Sequence, residues 1–253
     1  MKDIAIFNRQ DFYFNNSFLS AKNGHVGSGE GFKTFSILPS RELVTEKLIG
    51  FHGEKLMQAR FNPRTFSVPI YFEDMTTYNL RDIALWLGVM APTKFYWKDD
   101  SVYINAMLDG NGNDINDFYY NGGLIDLKFI ANDPFYYEIT PTNSTRPLVT
   151  GENTVAITNL GNYLSHPMLK IYGAGTITVK SYDSNNVEIS NCTITGVAGN
   201  VVLDTLQKRV YTGSTNLINN MTGTYPTLQT GNVSLKIGGT VTSVEVTPRF
   251  RWI

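Results

Sequence analysis

Cysteine and histidine are scarce in this chain. Its 253 residues include one cysteine, Cys192, and three histidines, at positions 25, 52 and 166. One thiol excludes an internal disulfide, and the histidines are too far apart for the short spacings that mark metal sites. The Gly-x-Ser-x-Gly pattern that presents a nucleophilic serine is also missing. We therefore expect no metal and no cofactor.

Long apolar runs and a large net charge are absent as well. The longest apolar run, residues 83–91, is nine residues long, which is too short to cross a bilayer. The N-terminal residues lack the apolar core of a secretory signal. The net charge is −1, whereas nucleic-acid binders usually carry a basic excess. These absences predict a protein made in a cytoplasm, without a membrane partner and without specific nucleic-acid binding.

Three local patterns imitate functional sites. The glycine-rich stretch at residues 24–34 lacks the glycine–lysine pair of a phosphate-binding loop. Residues 109–113 have the oxygen spacing of a calcium loop but not its later glycine and glutamate. The carboxylate pairs at 73–74 and 99–100 are sequence neighbours, whereas a glycosidase needs two carboxylates opposed across a cleft. Ordinary turns explain all three patterns better, and we predict that the chain is not an enzyme.

Composition changes sharply near residue 139. Residues 1–139 hold 30 charged residues and six threonines, whereas residues 140–253 hold 13 charged residues and 20 threonines. The formal charges of these segments are −4 and +3. Proline ends or breaks a regular element and restricts the residue before it, so the proline-containing aromatic stretch at this point predicts a rigid joint. We predict two domains, residues 1–138 and 139–253. The joint consists of Asp133, Pro134, Phe135, Tyr136 and Tyr137.

The whole pattern predicts a mainly β fold, and its first domain is expected to be β-sandwich-like with one short α-helix. Alternation over residues 66–73 and 124–130 indicates strands, and Pro69 indicates an edge strand or a bulge. Residues 76–88 have helical periodicity, with Trp86 beside the apolar stripe rather than in it. We expect Trp86 in the core, with an exposed ring at a subunit contact as the alternative. The stripe consists of Leu80, Ile83, Ala84 and Leu87.

The second domain is expected to be a β-sandwich. After residue 140, short strand patterns recur every 8–12 residues and are separated by glycine and asparagine, which is typical of antiparallel sandwiches. The glycines are expected to end one strand and begin the next. The relevant predicted strands are 167–172, 175–182, 187–189, 192–195, 200–204, 232–237 and 241–251.

Seven segments follow one another along the chain in a recognisable order: Arg81–Leu87, Val102–Ala106, Asp133–Tyr137, Asn159–Asn162, Pro167–Gly173, Thr222–Leu228 and Pro248–Trp252. Together they resemble one family, the distal tail proteins (Dit) of long-tailed bacteriophages. The aromatic joint after about 130 residues is typical of that family, and the resemblance extends over nearly the whole chain in the full-length, two-domain form of Gram-positive phages. Residues 8–35 and 110–123 carry none of it.

The resemblance implies a structural role in the virion. The first domain would form a hexameric ring, or two stacked rings, at the distal end of the tail. The ring would join the tail tube protein to the tail-tip and adsorption proteins, and DNA would pass through its lumen without specific binding. The second domain would be a galectin-like, jelly-roll sandwich that points outward. Such a hub would be made and assembled in the host cytoplasm.

The segment between Pro39 and Gly50 is the expected oligomer contact. It mixes β-branched, apolar and charged residues, as a strand does that adds to a neighbouring subunit. An ordinary hairpin within one chain is the alternative. The candidate contact residues are Arg41, Glu42, Val44, Glu46, Lys47 and Leu48.

A carbohydrate-binding adhesion protein is the second functional class. A sugar site needs an aromatic platform beside polar groups, and Trp252 is the only tryptophan of the second domain. The His-x-Asn-x-Arg pattern of galectins is absent, because Pro167 follows His166. We expect an architectural module without tight sugar binding, and we keep adhesion as the alternative. The tyrosines, most of them expected in the core, are Tyr163, Tyr172, Tyr182, Tyr211 and Tyr225.

Overall fold

The computed structural model describes residues 11–27, 38–50, 52–73, 76–110, 115–119 and 122–253. Within them the chain is mainly antiparallel β with a single α-helix, α1 (Thr77–Leu87), which confirms the predicted fold class. The chain divides into two compact units. The first is Met1–Tyr136 together with Ile253, and the second is Tyr137–Trp252.

The first unit is built on one twisted antiparallel sheet with the order β2-β1-β7-β8-β10-β6-β3, and β9 pairs with β10. A separate two-stranded sheet is formed by β4 and β5. A 3₁₀ turn covers Leu19–Lys22. The strands are β1 (Phe12–Phe14), β2 (Ser17–Phe18), β3 (Gly24–Val26), β4 (Arg41–Glu46), β5 (Lys55–Phe61), β6 (Arg64–Phe72), β7 (Thr93–Trp97), β8 (Val102–Leu108), β9 (Ile115–Tyr119) and β10 (Gly122–Ala131).

Strands β6 and β10 form the centre of this core, because their alternating apolar residues are in register. Leu127 lies opposite Val68, and Phe129 lies opposite Phe66; all four are buried. Pro69 pairs with Asp126 of β10 on one side, without a bulge, whereas on the other side β3 pairs only with Ile70–Phe72 and ends before Pro69. The amide of Gly27 donates to the Pro69 carbonyl at 2.8 Å. The missing N–H of proline therefore faces the side where the short strand β3 ends, and no long ladder is interrupted.

Helix α1 covers this core with a stripe different from the predicted one. Ile83, Trp86 and Leu87 are buried, whereas Ala84 is exposed. The helix is rotated so that its largest side chain faces the sheet, which removes more apolar surface from water than alanine could. Trp86 therefore lies in the core, as expected.

The second unit contains one eight-stranded antiparallel sheet, with the order β12-β19-β14-β15-β16-β17, β13 on β19 and β18 on β15. A 3₁₀ turn covers Ile218–Asn220. The eight strands are β12 (Ser144–Pro147), β13 (Asn153–Asn159), β14 (Met168–Tyr182), β15 (Glu188–Asp204), β16 (Arg209–Thr212), β17 (Thr215–Asn216), β18 (Met221–Gly223) and β19 (Gly231–Thr247). Two further short strands, β11 (Tyr136–Glu138) and β20 (Arg251–Trp252), pair with each other outside this sheet.

Three very long strands, β14, β15 and β19, fold this sheet onto itself. The glycines expected to separate strands bend them instead, so two predicted strands merge in β14, three in β15 and two in β19. Gly175 and Gly239 adopt positive φ, and a Cβ on Gly239 would clash with the Thr176 carbonyl. The ladder between β14 and β19 shifts register at this bend. Glycine therefore allows a sharp turn within a strand.

The bend creates a two-layered sandwich around one apolar core. Before the bend of β14, Leu169 and Ile171 point inward; after it, Ile177 and Val179 do. All four belong to one buried cluster, to which both halves of β15 and β19 contribute. Since inward and outward residues alternate along a strand, the side chains next to these four form the outer faces.

Candidate functional site

The hairpin of β4 and β5, with its connecting loop, carries a concentration of exposed apolar side chains in the described part of the chain. β4 pairs with β5 of its own chain, from Arg41 opposite Phe61 to Glu46 opposite Lys55, as the hairpin alternative predicted. Every residue of β4 is exposed. Seven of the sixteen exposed large apolar side chains in that part of the chain lie within residues 38–57.

Both faces of this hairpin are open to solvent. Leu43 and Val44 are neighbours and therefore point to opposite faces, and their exposed fractions are 58% and 41%. On β5, Leu56 and Met57 are also exposed, and Met57 lies at a shift of the ladder register. An isolated two-stranded hairpin is only marginally stable in water, so this element is expected to gain stability when another surface covers it.

Polar side chains hold the hairpin in shape. Arg60 Nε and Glu42 Oε2 are 2.8 Å apart, and the hydrogen bond from Arg60 lowers the pKa of Glu42. The guanidinium of Arg41 lies 5.0 Å from the centre of the Phe61 ring. Lys47 pairs with Glu54 at 3.6 Å. The candidate contact residues therefore all belong to one exposed element: Arg41, Glu42, Val44 and Glu46 are in β4, and Lys47 and Leu48 follow it.

The aromatic joint is largely buried. Pro134 and Phe135 are buried, and Asp133 Oδ1 accepts a bond of 3.4 Å from the Phe135 amide. The Phe135 ring makes an edge contact with Phe61, at a centroid distance of 5.9 Å. Because Phe61 ends β5, this contact fixes the base of the hairpin on the joint. Tyr136 is partly buried and Tyr137 is buried.

Chemistry-bearing groups are sparse in the described residues. They contain no cluster of three histidine, cysteine or carboxylate side chains that could hold a metal. In the same residues, no helical segment is long and apolar enough to span a bilayer. Cys192 is buried, and burial raises the pKa of its thiol to about 12. Residues 28–34, 74 and 111–113 of the site-like patterns lie outside the described residues.

The tyrosines of the second unit lie differently from the sequence expectation. All five are partly exposed, and only Tyr225 packs against the core cluster. On β14, the inward residues are Leu169, Ile171 and Val179, so Tyr172 and Tyr182 point outward. Side chains alternate between the two faces of a strand, so each face is known once one buried residue is known. The sequence alone does not show where the bend lies, and therefore did not show which residues are buried. The outer face of the sheet therefore carries aromatic rings that the sequence pattern had placed in the core.

Comparisons with known proteins give matches only at the level of structure. No protein-family model matches the sequence, and no curated protein matches it significantly. The crystal structure of phage SPP1 Dit, a protein described as a paradigm of the hub adsorption apparatus in phages that infect Gram-positive bacteria, matches with a TM-score of 0.70. The match covers 96% of this chain and 99% of that chain at 14% identity.

Two structures of the phage p2 baseplate in its activated conformation also match. The structure with strontium has a TM-score of 0.47 and 9% identity, and covers 93% of this chain and 97% of the other. The structure with calcium has a TM-score of 0.45 and 10% identity, and covers 94% and 96%. On the strength of the SPP1 match, this chain has the fold of Dit, the phage distal tail protein.

Proposed function

We propose that the chain is a distal tail protein of a phage that infects Gram-positive bacteria, and that it acts as the structural hub of the tail tip. The observation that carries the proposal is the fold shared with SPP1 Dit over almost the full length of both chains. Such a hub is part of the virion and is assembled in the host cytoplasm.

Self-association through the β4–β5 hairpin is the second part of this proposal. The hairpin is a self-contained element with apolar side chains on both faces and with charges along its strands. Covering one half-exposed leucine or methionine contributes about 1–2 kcal/mol, so several together support a stable contact. The hairpin of one subunit would pack on a different surface of the next, and such head-to-tail contacts close into rings.

The number of subunits and the other partners follow from the family resemblance. Six copies would form the ring, singly or in two stacked rings, with the tail tube protein on one side and the tail-tip proteins on the other. The first domain, residues 1–138, would form the ring, and the second, residues 139–253, would face outward. The first segment carries a formal charge of −4. A negatively charged lumen would repel the phosphates of DNA and let it pass without binding. The role is architectural and requires no catalysis.

Light scattering on a sizing column and negative-stain microscopy test this proposal. The wild-type protein is expected to form a ring at micromolar concentration. The double variant Leu43→Lys, Met57→Lys is expected to be monomeric, because a buried lysine in the contact is costly. The matched control is Leu160→Lys, Leu206→Lys, which changes two exposed leucines of the second unit and should still form the ring.

The outcomes separate the two parts of the proposal. A strictly monomeric wild-type protein, with no ring in micrographs, would overturn the hub assignment. A ring that persists in the Leu43→Lys, Met57→Lys variant would retain the hub and reject the hairpin as its contact. Circular dichroism melting of both double variants checks that the fold is intact.

A further inference from the structure

We propose that the outer face of the second unit carries a saccharide-binding site, formed on β14, β15, β16 and β19. A depression of about 440 Å³ lies on this face. Sites for small ligands generally have volumes of about 300–1,000 Å³, so the space suits one or a few sugar rings. The inference rests on the second unit alone and does not depend on ring formation.

Strand register brings the side chains of this site together. Lys170 on β14 lies opposite Glu245 on β19 and opposite Val202 on β15. Val202 in turn lies opposite Tyr211 on β16. These four residues therefore form one row across four strands. All four side chains share the outer face, because their neighbours Leu169, Leu203, Val210 and Val244 are buried in the core.

Neighbouring rows complete the depression. Two residues before Lys170 on β14, Met168 lies opposite Thr247. Two residues after Lys170, Tyr172 lies opposite Asn200 of β15. The lining includes an apolar part, Met168, Val202 and Tyr211, here called the floor, and a polar part, Lys170, Glu245 and Asn200, here called the walls. Apolar and polar groups thus lie side by side in the depression, as C–H groups and hydroxyls do on a sugar ring.

The hydrogen-bonding atoms of the walls are oriented by contacts that leave capacity for a ligand. Tyr172 Oη donates to Glu245 Oε1 at 2.6 Å, and Lys170 Nζ lies 3.8 Å from the same oxygen. Both contacts use Oε1, so Oε2 can accept from a ligand hydroxyl. Thr212 donates to Asn200 Oδ1 at 3.3 Å, which leaves the Asn200 amide hydrogens to donate. Lys170 also lies 4.9 Å from the centre of the Tyr172 ring, which restricts its motion.

This chemistry favours a neutral saccharide over other ligands. Neighbouring hydroxyls of a sugar both donate and accept, and the site offers donors on Lys170 and Asn200 beside an acceptor on Glu245. The apolar C–H face of the ring matches the floor. A phosphate or a nucleic acid would meet the carboxylate of Glu245, whereas an apolar ligand would bury the polar walls without hydrogen bonds, which is unfavourable.

The chain contains a matched control for this arrangement. Elsewhere on β14 and β15, Lys180 pairs with Glu188 at 3.4 Å, and Tyr182 Oη donates to Glu188 at 3.2 Å. This second lysine–tyrosine–glutamate set has the same side chains as Lys170, Tyr172 and Glu245. None of its three residues lines the depression. Changing Glu188 therefore tests whether charge alone, without the shaped floor, accounts for any binding.

The experiment is a glycan array that carries neutral, amino-substituted and anionic oligosaccharides, probed with the full chain. Titration calorimetry with the best neutral oligosaccharide follows. We expect saturable binding to a neutral saccharide. Glu245→Gln and Asn200→Ala should each weaken it by about tenfold or more, the equivalent of 1.4 kcal/mol. Glu188→Gln should leave it unchanged. Denaturation midpoints of the three variants show whether their fold is intact.

Three results would overturn the proposal. One is no binding to any array saccharide at millimolar concentration, which would leave the depression to a protein partner. Another is binding to anionic glycans alone. The last is binding that Glu245→Gln and Asn200→Ala leave intact, or that Glu188→Gln weakens equally, since the depression would then not be the site.

Discussion

Trp86 Nε1 donates a buried hydrogen bond of 2.7 Å to the backbone carbonyl of Phe14. The indole also stacks on Phe12 at a centroid distance of 5.9 Å and meets the Phe14 ring edge-on at 6.0 Å. One side chain thus attaches α1 to β1 by polar and apolar contacts together. The Asn15 side chain donates to the Trp86 carbonyl at 2.8 Å, which adds a second link between the same two segments.

Removal of this side chain should strongly destabilise the first unit. Trp86→Ala leaves a large cavity and is expected to lower the free energy of unfolding by about 3–5 kcal/mol. Trp86→Phe keeps most of the ring contacts but loses the hydrogen bond, and should cost less than the alanine change. Urea denaturation followed by circular dichroism measures both. An unchanged midpoint together with lost oligomerisation would mean that the ring acts at a subunit contact.

Cys192 should be unreactive in the native protein. Its thiol is buried in the sandwich core, and desolvation raises its pKa to about 12, so almost no thiolate is present at neutral pH. Ellman's reagent should label it only as the second unit unfolds, and fully in strong denaturant. Cys192→Ser provides the blank. Stoichiometric labelling within minutes under native conditions would contradict this placement.

The Arg249–Asp204 pair should make the second unit sensitive to acid. Arg249 Nη1 and Nη2 lie 2.7 and 3.0 Å from the two carboxylate oxygens of Asp204. Burial raises the pKa of Asp204, but hydrogen bonds from Arg249 and from the Gln207 amide outweigh it, and the net pKa is lowered. The stabilisation is therefore complete above the ordinary pKa of an aspartate, and it is lost as pH falls through the lower value in the folded protein.

Asp204→Asn tests this linkage. At neutral pH we expect the variant to lose about 1.5–3 kcal/mol, the usual contribution of hydrogen bonds to a charged group. Below the folded-state pKa of Asp204 the two proteins should approach equal stability. Cys192 labelling during denaturant titrations reports on the second unit alone. A difference between the proteins that is the same at neutral and acidic pH would exclude a role for the charge.

Limited proteolysis should first cut the chain after β11. Residues 140–143 are exposed and lie between β11 and β12, outside any strand, and exposed loops are the preferred sites of cleavage. Proteinase K at low concentration should release a C-terminal fragment that begins near β12 and keeps a cooperative unfolding transition. Mass spectrometry locates the cut. First cuts within β14, β15 or β19 would place the domain boundary elsewhere.

The sequence predicted much of the fold, because periodicity and turn residues are local signals. The helix was expected over residues 76–88 and is present over Thr77–Leu87. The hairpin of β7 and β8 and the inward side chains of β10 also followed from alternation. These features depend on neighbours in the chain. The alternative of a hairpin within one chain for residues 38–50 also came from local sequence, and β4 does pair with β5.

Other features were not predictable, because they depend on residues far apart. Gly175 looks like a strand break in sequence, yet the residues before and after it pair with β15 and β19, so one strand continues through the bend. The bend then decides which face each side chain points to. The row of Glu245, Lys170, Val202 and Tyr211 exists only because four ladders have matching register. No spacing along the chain contains that information.

The continuous strands of the second unit have a mechanical consequence. In most sandwiches the two layers belong to different strands and can separate when side-chain packing fails. Here β14, β15 and β19 each run through both layers, so the layers share three covalent crossings. A load that pulls the layers apart is borne by backbone bonds and by ladders loaded in shear. The two layers should therefore unfold together in one cooperative step under load, rather than one layer after the other.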